Sequence, residues 1–325
     1  LNEVDSHVTA MPYDELVRHL ITDDGLWTDS PAVNFVTATL DQNNKNQPDV
    51  IRLAGRTSRA FLGMRIDCLQ CHDDNLGTLE FPRVAGEDMA TTKLRTGFQS
   101  DFHQLAAFWV GAEQSFTGIR DVERPYRYQY LGEEKDEPVP PRVPFAANLV
   151  TVKGNRREQL ARWVTHEENK PFARAMVNRV WAQMFGKPLV EPIDDIPLQG
   201  PFPPALETLA EDFAANGFDL RRLIRLIAAT EAYQLDSRAE FEVTEEHEEH
   251  WAVYPLSRLR PEQVAGSLLQ APKLTTIYAE SHILVKLARF DEERKFVERF
   301  GDTGEDEFIE EGGTIPQRLL MMNGE

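Results

Sequence analysis

The chain has 325 residues, of which 41% are hydrophobic, and it carries a formal net charge of −19. Its hydrophobic fraction supports folded cores, and its length exceeds the usual limit for a single core, so we expect two domains. The negative charge argues against a nucleic-acid partner, because phosphates attract basic surfaces. We also expect no membrane span, because no apolar run reaches the roughly 18–20 residues that a transmembrane helix needs.

Two amphipathic helices are predicted in the first quarter of the chain. Apolar residues at helical spacing between Tyr13 and Ile21 indicate the first helix, with Pro12 in its first turn. A longer stripe that starts at Val50 and continues to Met64 indicates the second. This second helix should end just before the candidate functional segment and position it from a rigid element.

That segment is Cys68-Leu69-Gln70-Cys71-His72, which has the CxxCH pattern of covalent c-type haem attachment. In this chemistry the two thiols add to the haem vinyl groups, and the adjacent imidazole binds the iron as an axial ligand. The chain has no other cysteine. We therefore predict haem c as the cofactor, held by Cys68 and Cys71, with His72 as the proximal ligand.

Three other interpretations of the same residues stay open. Cys68 and Cys71 could form a local redox disulfide, although such motifs usually lie at a strand-to-helix turn in a βαβ unit, which the pattern here does not predict. They could bind zinc together with His72 and Asp73 or Asp74, although structural zinc sites usually take a second ligand pair from elsewhere. They could also be an inert, reduced pair.

The candidates for the sixth iron ligand follow the motif. Residues 73–99 read as an irregular loop, and a helix with Ser100 as its N-cap should follow. On that helix His103 borders an apolar stripe suited to a haem edge, which makes it our first candidate. The alternative role is a partly buried histidine bonded to backbone. Met64 and Met89 are the next candidates.

The rest of the chain is predicted to be a linker and a second helical domain. Five prolines interrupt the charged, aromatic segment 116–144, which reads as a linker or arm between domains. Helical periodicities then dominate. The overall prediction is a mainly α protein with two helical domains, long irregular loops and few short strands. The domains are 1–115, with the CxxCH motif, and 145–325.

Several blocks of the chain, in order, resemble one known domain pair. Residues 11–20, 59–74 and 101–109 resemble the cytochrome-c-like domain of unknown function in secreted planctomycete-type proteins. Residues 169–196, 217–237, 254–269 and 316–325 resemble the domain usually fused behind it. Family members commonly continue CxxCH with Asp-His, whereas Asp74 stands at the histidine position here. Relatives also have more sequence before the point that corresponds to Leu1, so we expect a missing N-terminal piece or a second subunit.

The resemblance implies a secreted bacterial protein with a c-type haem at the CxxCH motif, located in the periplasm or outside the cell. The functional prediction is a monohaem electron-transfer protein whose redox partner is cationic. An alternative is a haem- or metal-dependent extracellular enzyme, for example one that acts on carbohydrate. A third is a haem-free module in which the motif binds zinc or is purely structural.

Overall fold

The computed structural model describes residues 11–41, 45–83, 94–255, 259, 261–270 and 282–300. Within these ranges the fold is mainly α, as predicted. The helices of this part are α1 Tyr13–Thr22, α2 Asn34–Thr37, α3 Val50–Leu62, α4 Gln99–Ala106, α5 Arg156–Val164, α6 Lys170–Phe185, α7 Pro204–Ala215, α8 Leu220–Ala228, α9 Glu245–Glu249, α10 Pro261–Gln270 and α11 Ile283–Phe300.

The strands are short and pair in four separate antiparallel hairpins. They are β1 Leu40–Asp41 with β2 Gln47–Pro48, β3 Glu80–Pro82 with β4 Leu94–Thr96, β5 Ala112–Ser115 with β6 Gly118–Asp121, and β7 Arg127–Tyr128 with β8 Glu137–Pro138. The hairpin of β3 and β4 corrects the prediction of an irregular loop over 73–99. Its strands have three residues each, which is too short for an alternating pattern to be recognised in sequence.

The chain forms two compact units. Unit 1 consists of Leu1–Gln183 and Pro188–Gln234, and unit 2 consists of Met184–Lys187 and Leu235–Glu325. These limits differ from those of the predicted domains, because unit 1 includes the predicted linker 116–144 together with helices on both sides of it. The predicted domain boundaries at residues 115 and 144 stay a prediction.

The core of unit 1 is aromatic and contains residues from both sides of the predicted linker. The ring of Tyr13 on α1 stacks on Phe172 of α6, with ring centroids 5.0 Å apart. Large aromatic burial of this kind dominates core energetics. The fully buried aromatic side chains of this unit include Phe81, Phe102, Phe108, Trp109, Trp163, Phe172 and Phe213.

The longer of the two predicted N-terminal helices is α3, and its ends have clear local causes. Asp49 caps its first turn by accepting hydrogen bonds from the backbone amides of Ile51 and Arg52. The helix ends because Gly63 adopts φ +61°, a left-handed conformation that glycine reaches without a steric penalty. Met64, the last residue of the predicted stripe, is buried but lies beyond the helix. The helix is therefore confirmed as far as Leu62.

Ion pairs join α3 to the segment that follows α6. The carboxylate of Asp194 accepts from Arg59 Nε and Arg65 Nε, each at 2.8 Å. Only 8% of the Asp194 side chain is exposed. A buried carboxylate needs such partners, because leaving it unpaired carries a large desolvation cost.

Unit 2 contains an aromatic contact and a helix pair. The ring of Phe185 packs against Trp251 and Tyr254, and the Tyr254 hydroxyl donates to the Met184 carbonyl oxygen. Helices α10 and α11 contact each other. Among the residues described in either unit, no helix combines the length and apolar composition that crossing a membrane requires.

Candidate functional site

The CxxCH segment forms a short 3₁₀ turn on the surface of unit 1. The turn spans Asp67–Gln70, and Cys71 follows it. Leu69 points inward and is fully buried, whereas both cysteines are exposed and form no disulfide. Burial of the residue between them thus anchors the turn and leaves both thiols at the surface.

His72 has one engaged and one open ring nitrogen. Its Nδ1 lies 2.8 Å from the backbone carbonyl oxygen of Asp73. A carbonyl can only accept, so Nδ1 carries the proton, and Nε2 of the neutral ring has a free lone pair. In the part of the chain that the structure describes, Nε2 has no hydrogen-bond partner. A metal-binding histidine is typically oriented in this way by a hydrogen bond from its other nitrogen.

Asp74 closes the loop behind the motif. Its carboxylate accepts hydrogen bonds from the backbone amides of Leu76, Gly77 and Leu79, and its own amide donates to the Gly97 carbonyl oxygen. Burial by itself would raise the pKa of Asp74, but these hydrogen bonds outweigh burial and lower it. Asp74 therefore has a structural role as an anionic cap of this loop.

The surroundings of Cys68 favour its protonated thiol. The residue is exposed as a whole, but partial burial of its thiol raises the pKa of Cys68, and the nearby carboxylates of Asp74 and Asp67 raise it further. Reactive redox cysteines instead have a lowered pKa, set by cationic or dipolar neighbours. The environment of Cys68 is thus unlike that of a catalytic disulfide.

The zinc interpretation finds no arranged set of ligands in the described residues. Within those ranges, no group of three or more His, Cys, Asp and Glu side chains could hold a metal ion. Asp74, one of the predicted zinc ligands, accepts backbone hydrogen bonds instead. The two free thiols and the open Nε2 of His72 are, however, the groups that covalent haem attachment uses.

His103, the first candidate for the sixth ligand, is fully buried on α4. Its Nε2 lies 3.0 Å from the Gln70 carbonyl oxygen, and its Nδ1 lies 2.9 Å from the Tyr126 hydroxyl. Binding iron would require one of these hydrogen bonds to break. The arrangement matches the alternative role, a buried histidine bonded to backbone. Met64 is buried as well, and Met89 lies outside the described residues.

A cluster of side chains around His103 was not predicted from the sequence. The ring of His103 stacks on Tyr128 with centroids 3.4 Å apart, and Tyr130 contacts both rings edge-on. One signal was available: the tyrosines at 126, 128 and 130 alternate, as residues on one face of an extended segment do. Because prolines flank this segment, it read as a linker rather than as part of the site.

Two family models match the chain in the order that the resemblance implied. Residues 4–80 match PSCyt2, a protein of unknown function (DUF1549), and residues 156–301 match PSD1, a protein of unknown function (DUF1553). The CxxCH motif lies in the first match, and α5 to α11 lie in the second. No curated protein and no solved structure matches the chain.

Proposed function

We propose that this protein carries one haem, covalently attached through Cys68 and Cys71 with His72 as the proximal iron ligand, and that it transfers electrons. The observation that carries the proposal is the arrangement of the thiols and the imidazole in the CxxCH motif. Two free, exposed thiols lie beside an imidazole whose Nδ1 is held by a carbonyl and whose Nε2 is open. These are the groups that haem attachment and axial ligation need.

The residues of the motif would divide the work between attachment and ligation. Cys68 and Cys71 would form the two thioethers, and the Asp73 carbonyl would hold the His72 ring in the tautomer that exposes Nε2. When bound, a haem with a proximal histidine supplies one-electron redox chemistry. A strong sixth ligand favours an electron carrier, whereas an open sixth position favours an enzyme.

The surroundings of Cys68 argue against a redox disulfide. Its pKa is raised, which disfavours the thiolate that thiol–disulfide exchange requires. The carboxylates of Asp74 and Asp67 cause part of this rise in pKa. Negative charge beside the motif also affects which partner protein can dock there.

The location and the partner follow from the same proposal. Covalent haem attachment takes place outside the cytoplasm, so the protein would work in the periplasm or outside the cell. Asp67 and Asp73 are exposed beside the thiols, and the chain carries a net charge of −19. A redox partner with a cationic docking face would be steered toward this surface.

The test is the intact mass of the full chain under denaturing conditions, after production with the cytochrome c maturation machinery. We expect a mass one haem above that of the sequence and a c-type pyridine haemochrome spectrum. The matched control is the double variant Cys68→Ser/Cys71→Ser, which should have the sequence mass. A sequence mass for the properly matured wild-type chain would contradict the proposal.

Further outcomes separate the alternatives. Stoichiometric zinc in a chain of bare sequence mass would favour the haem-free zinc or structural module. Rapid binding of carbon monoxide to the reduced haem protein would reveal an open sixth position, and would favour a haem-dependent enzyme over an electron carrier.

A further inference from the structure

The carbonyl oxygen of Gln70, between the two cysteines, accepts hydrogen bonds from three side chains. The donors are Gln99 Nε2 at 3.0 Å, His103 Nε2 at 3.0 Å and the Tyr128 hydroxyl at 3.2 Å. A carbonyl oxygen has two lone pairs, so three donors exceed its usual complement. Three polar side chains from α4 and β7 thus meet at one backbone atom of the motif.

His103 has a single protonation pattern that satisfies these contacts. Because Nε2 faces a carbonyl, which only accepts, Nε2 carries the proton. Nδ1 of the neutral ring then accepts from the Tyr126 hydroxyl. Stacking on Tyr128 fixes the plane of the imidazole and aims its N–H group at Gln70.

These contacts restrain the motif on both sides of Cys71 and His72. Before this pair, the Gln70 carbonyl fixes the plane of the peptide bond that leads into Cys71. After it, the Asp73 carboxylate accepts from the backbone amide of Gln99, at 2.7 Å. The directions in which the Cys71 thiol and the His72 imidazole leave the turn are therefore set from α4.

We propose that His103 is a positioning residue for the Cys68–His72 segment, which it holds through the Gln70 carbonyl, and that it is not an iron ligand. The value of this positioning for haem attachment rests on the proposed function. The positioning itself is a property of the polypeptide and can be measured without haem.

The test compares two variants of the full chain by hydrogen–deuterium exchange. In His103→Gln, the amide nitrogen can take the position of Nε2 and still donate to Gln70. In His103→Asn, the shorter side chain cannot reach it. We expect the backbone amides of residues 69–74 to exchange about tenfold faster in H103N and at close to the wild-type rate in H103Q, the size of effect that follows from losing one buried hydrogen bond.

Two controls keep the result interpretable. The amides of α8 should exchange equally in all three proteins, which reports an intact fold. If H103N does not fold, Tyr128→Phe replaces it, because this variant removes one donor to Gln70 and keeps the stacked ring. Y128F should then speed exchange at residues 69–74 about threefold, a partial loss of the same restraint. Exchange at the wild-type rate at these residues in H103N would overturn the proposal. The same result in Y128F would overturn it where Y128F replaces H103N. Equally fast exchange in H103N and H103Q would overturn it as well.

The same proteins, matured with haem, separate this inference from the proposed function. We expect wild-type haem attachment and an unchanged visible spectrum in H103Q, and a reduced fraction of covalently attached haem in H103N. Loss of the wild-type spectrum in H103Q would assign His103 to the iron and overturn the positioning role. A bare mass in all three proteins, with the expected exchange pattern, would overturn only the haem proposal.

Discussion

At the scale of single residues, His103 shows how burial and hydrogen bonding select one chemical form. Burial lowers the pKa of His103, although the hydrogen bond to the Gln70 carbonyl partly opposes this shift. The neutral ring can donate to one acceptor and accept from one donor, which is what its two neighbours require. Protonation would place a second N–H group against the Tyr126 hydroxyl.

The lowered pKa of His103 predicts how stability depends on pH. In the unfolded chain this histidine binds its proton near pH 6.5, whereas in the folded protein it does so only at lower pH. The unfolded state therefore binds more protons below that pH, and the free energy of unfolding falls as the pH decreases from 7.5 to 5. His103→Gln should remove this contribution, so the variant should lose less stability than the wild type over this range.

Urea unfolding at several pH values measures the difference. His166→Gln is the matched control, because it changes the same residue type at a partly exposed position outside the cluster around His103. A wild-type slope in H103Q would contradict the expected role of His103 in the pH dependence.

At the scale of elements, the β3–β4 hairpin packs against the buried side of the CxxCH motif. Gly97 follows β4 and lies against Leu69 and Phe81, both fully buried. A Cβ atom at position 97 would lie 2.8 Å from Leu69 Cδ1 and 3.1 Å from Phe81 Cε2. The absence of a side chain at this position lets the hairpin approach the buried residue between the two cysteines.

This packing predicts that Gly97→Ala destabilises the protein. The added methyl group should force Leu69 and Phe81 apart, at a cost of about 1–3 kcal/mol, as is typical of an overpacked core. Thermal unfolding followed by circular dichroism measures the change in Tm. Gly266→Ala on α10 is the matched control, since its nearest neighbour atom would lie 3.9 Å away, and its Tm should not fall. Equal Tm values for G97A and the wild type would disprove the close packing.

The start of α4 also shows what element-level signals leave open. The sequence predicts Ser100 as the N-cap, but the helix begins at Gln99. Asp101 occupies the capping role, because its carboxylate accepts from the Phe98 amide at 2.8 Å and also pairs with Arg95. The residue at the N-cap position is Phe98, and the side chain that bonds to its backbone amide comes from the first turn of the helix.

At the scale of the whole molecule, unit 1 unites residues that the sequence assigns to different domains. Arg157 on α5 is fully buried, pairs with Asp121 and donates to the carbonyl oxygens of Ile21 and Asp23. Asp194 pairs with two arginines in and just after α3. If one partner of such a buried ion pair were removed, the charge of the remaining partner would be left uncompensated.

We therefore predict that residues 1–144 do not fold without the part of unit 1 that follows them. A chain that ends after Gln234 should show cooperative thermal unfolding and near-ultraviolet circular dichroism. A chain that ends after Pro144, the predicted limit of the linker, should lack both, because it loses the packing partners of Tyr13 and Arg59. Cooperative unfolding of the shorter chain would instead support the predicted domain boundaries.

Local patterns in the sequence were enough to identify the CxxCH motif and to predict the mainly α class and the helices α1 and α3. These features depend on residue types and spacings within about four helical turns, which a sequence displays directly. The prediction of haem at Cys68, Cys71 and His72 has the same origin.

The tertiary structure decided the features that join distant parts of the chain. The contact between His103 and the Gln70 carbonyl spans 33 residues, and the one between Arg59 and Asp194 spans 135. Helical periodicity placed His103 beside an apolar stripe but could not show which acceptor its Nε2 would meet. Such pairings depend on how elements pack together, because a hydrogen bond forms only where folding brings donor and acceptor within about 3 Å.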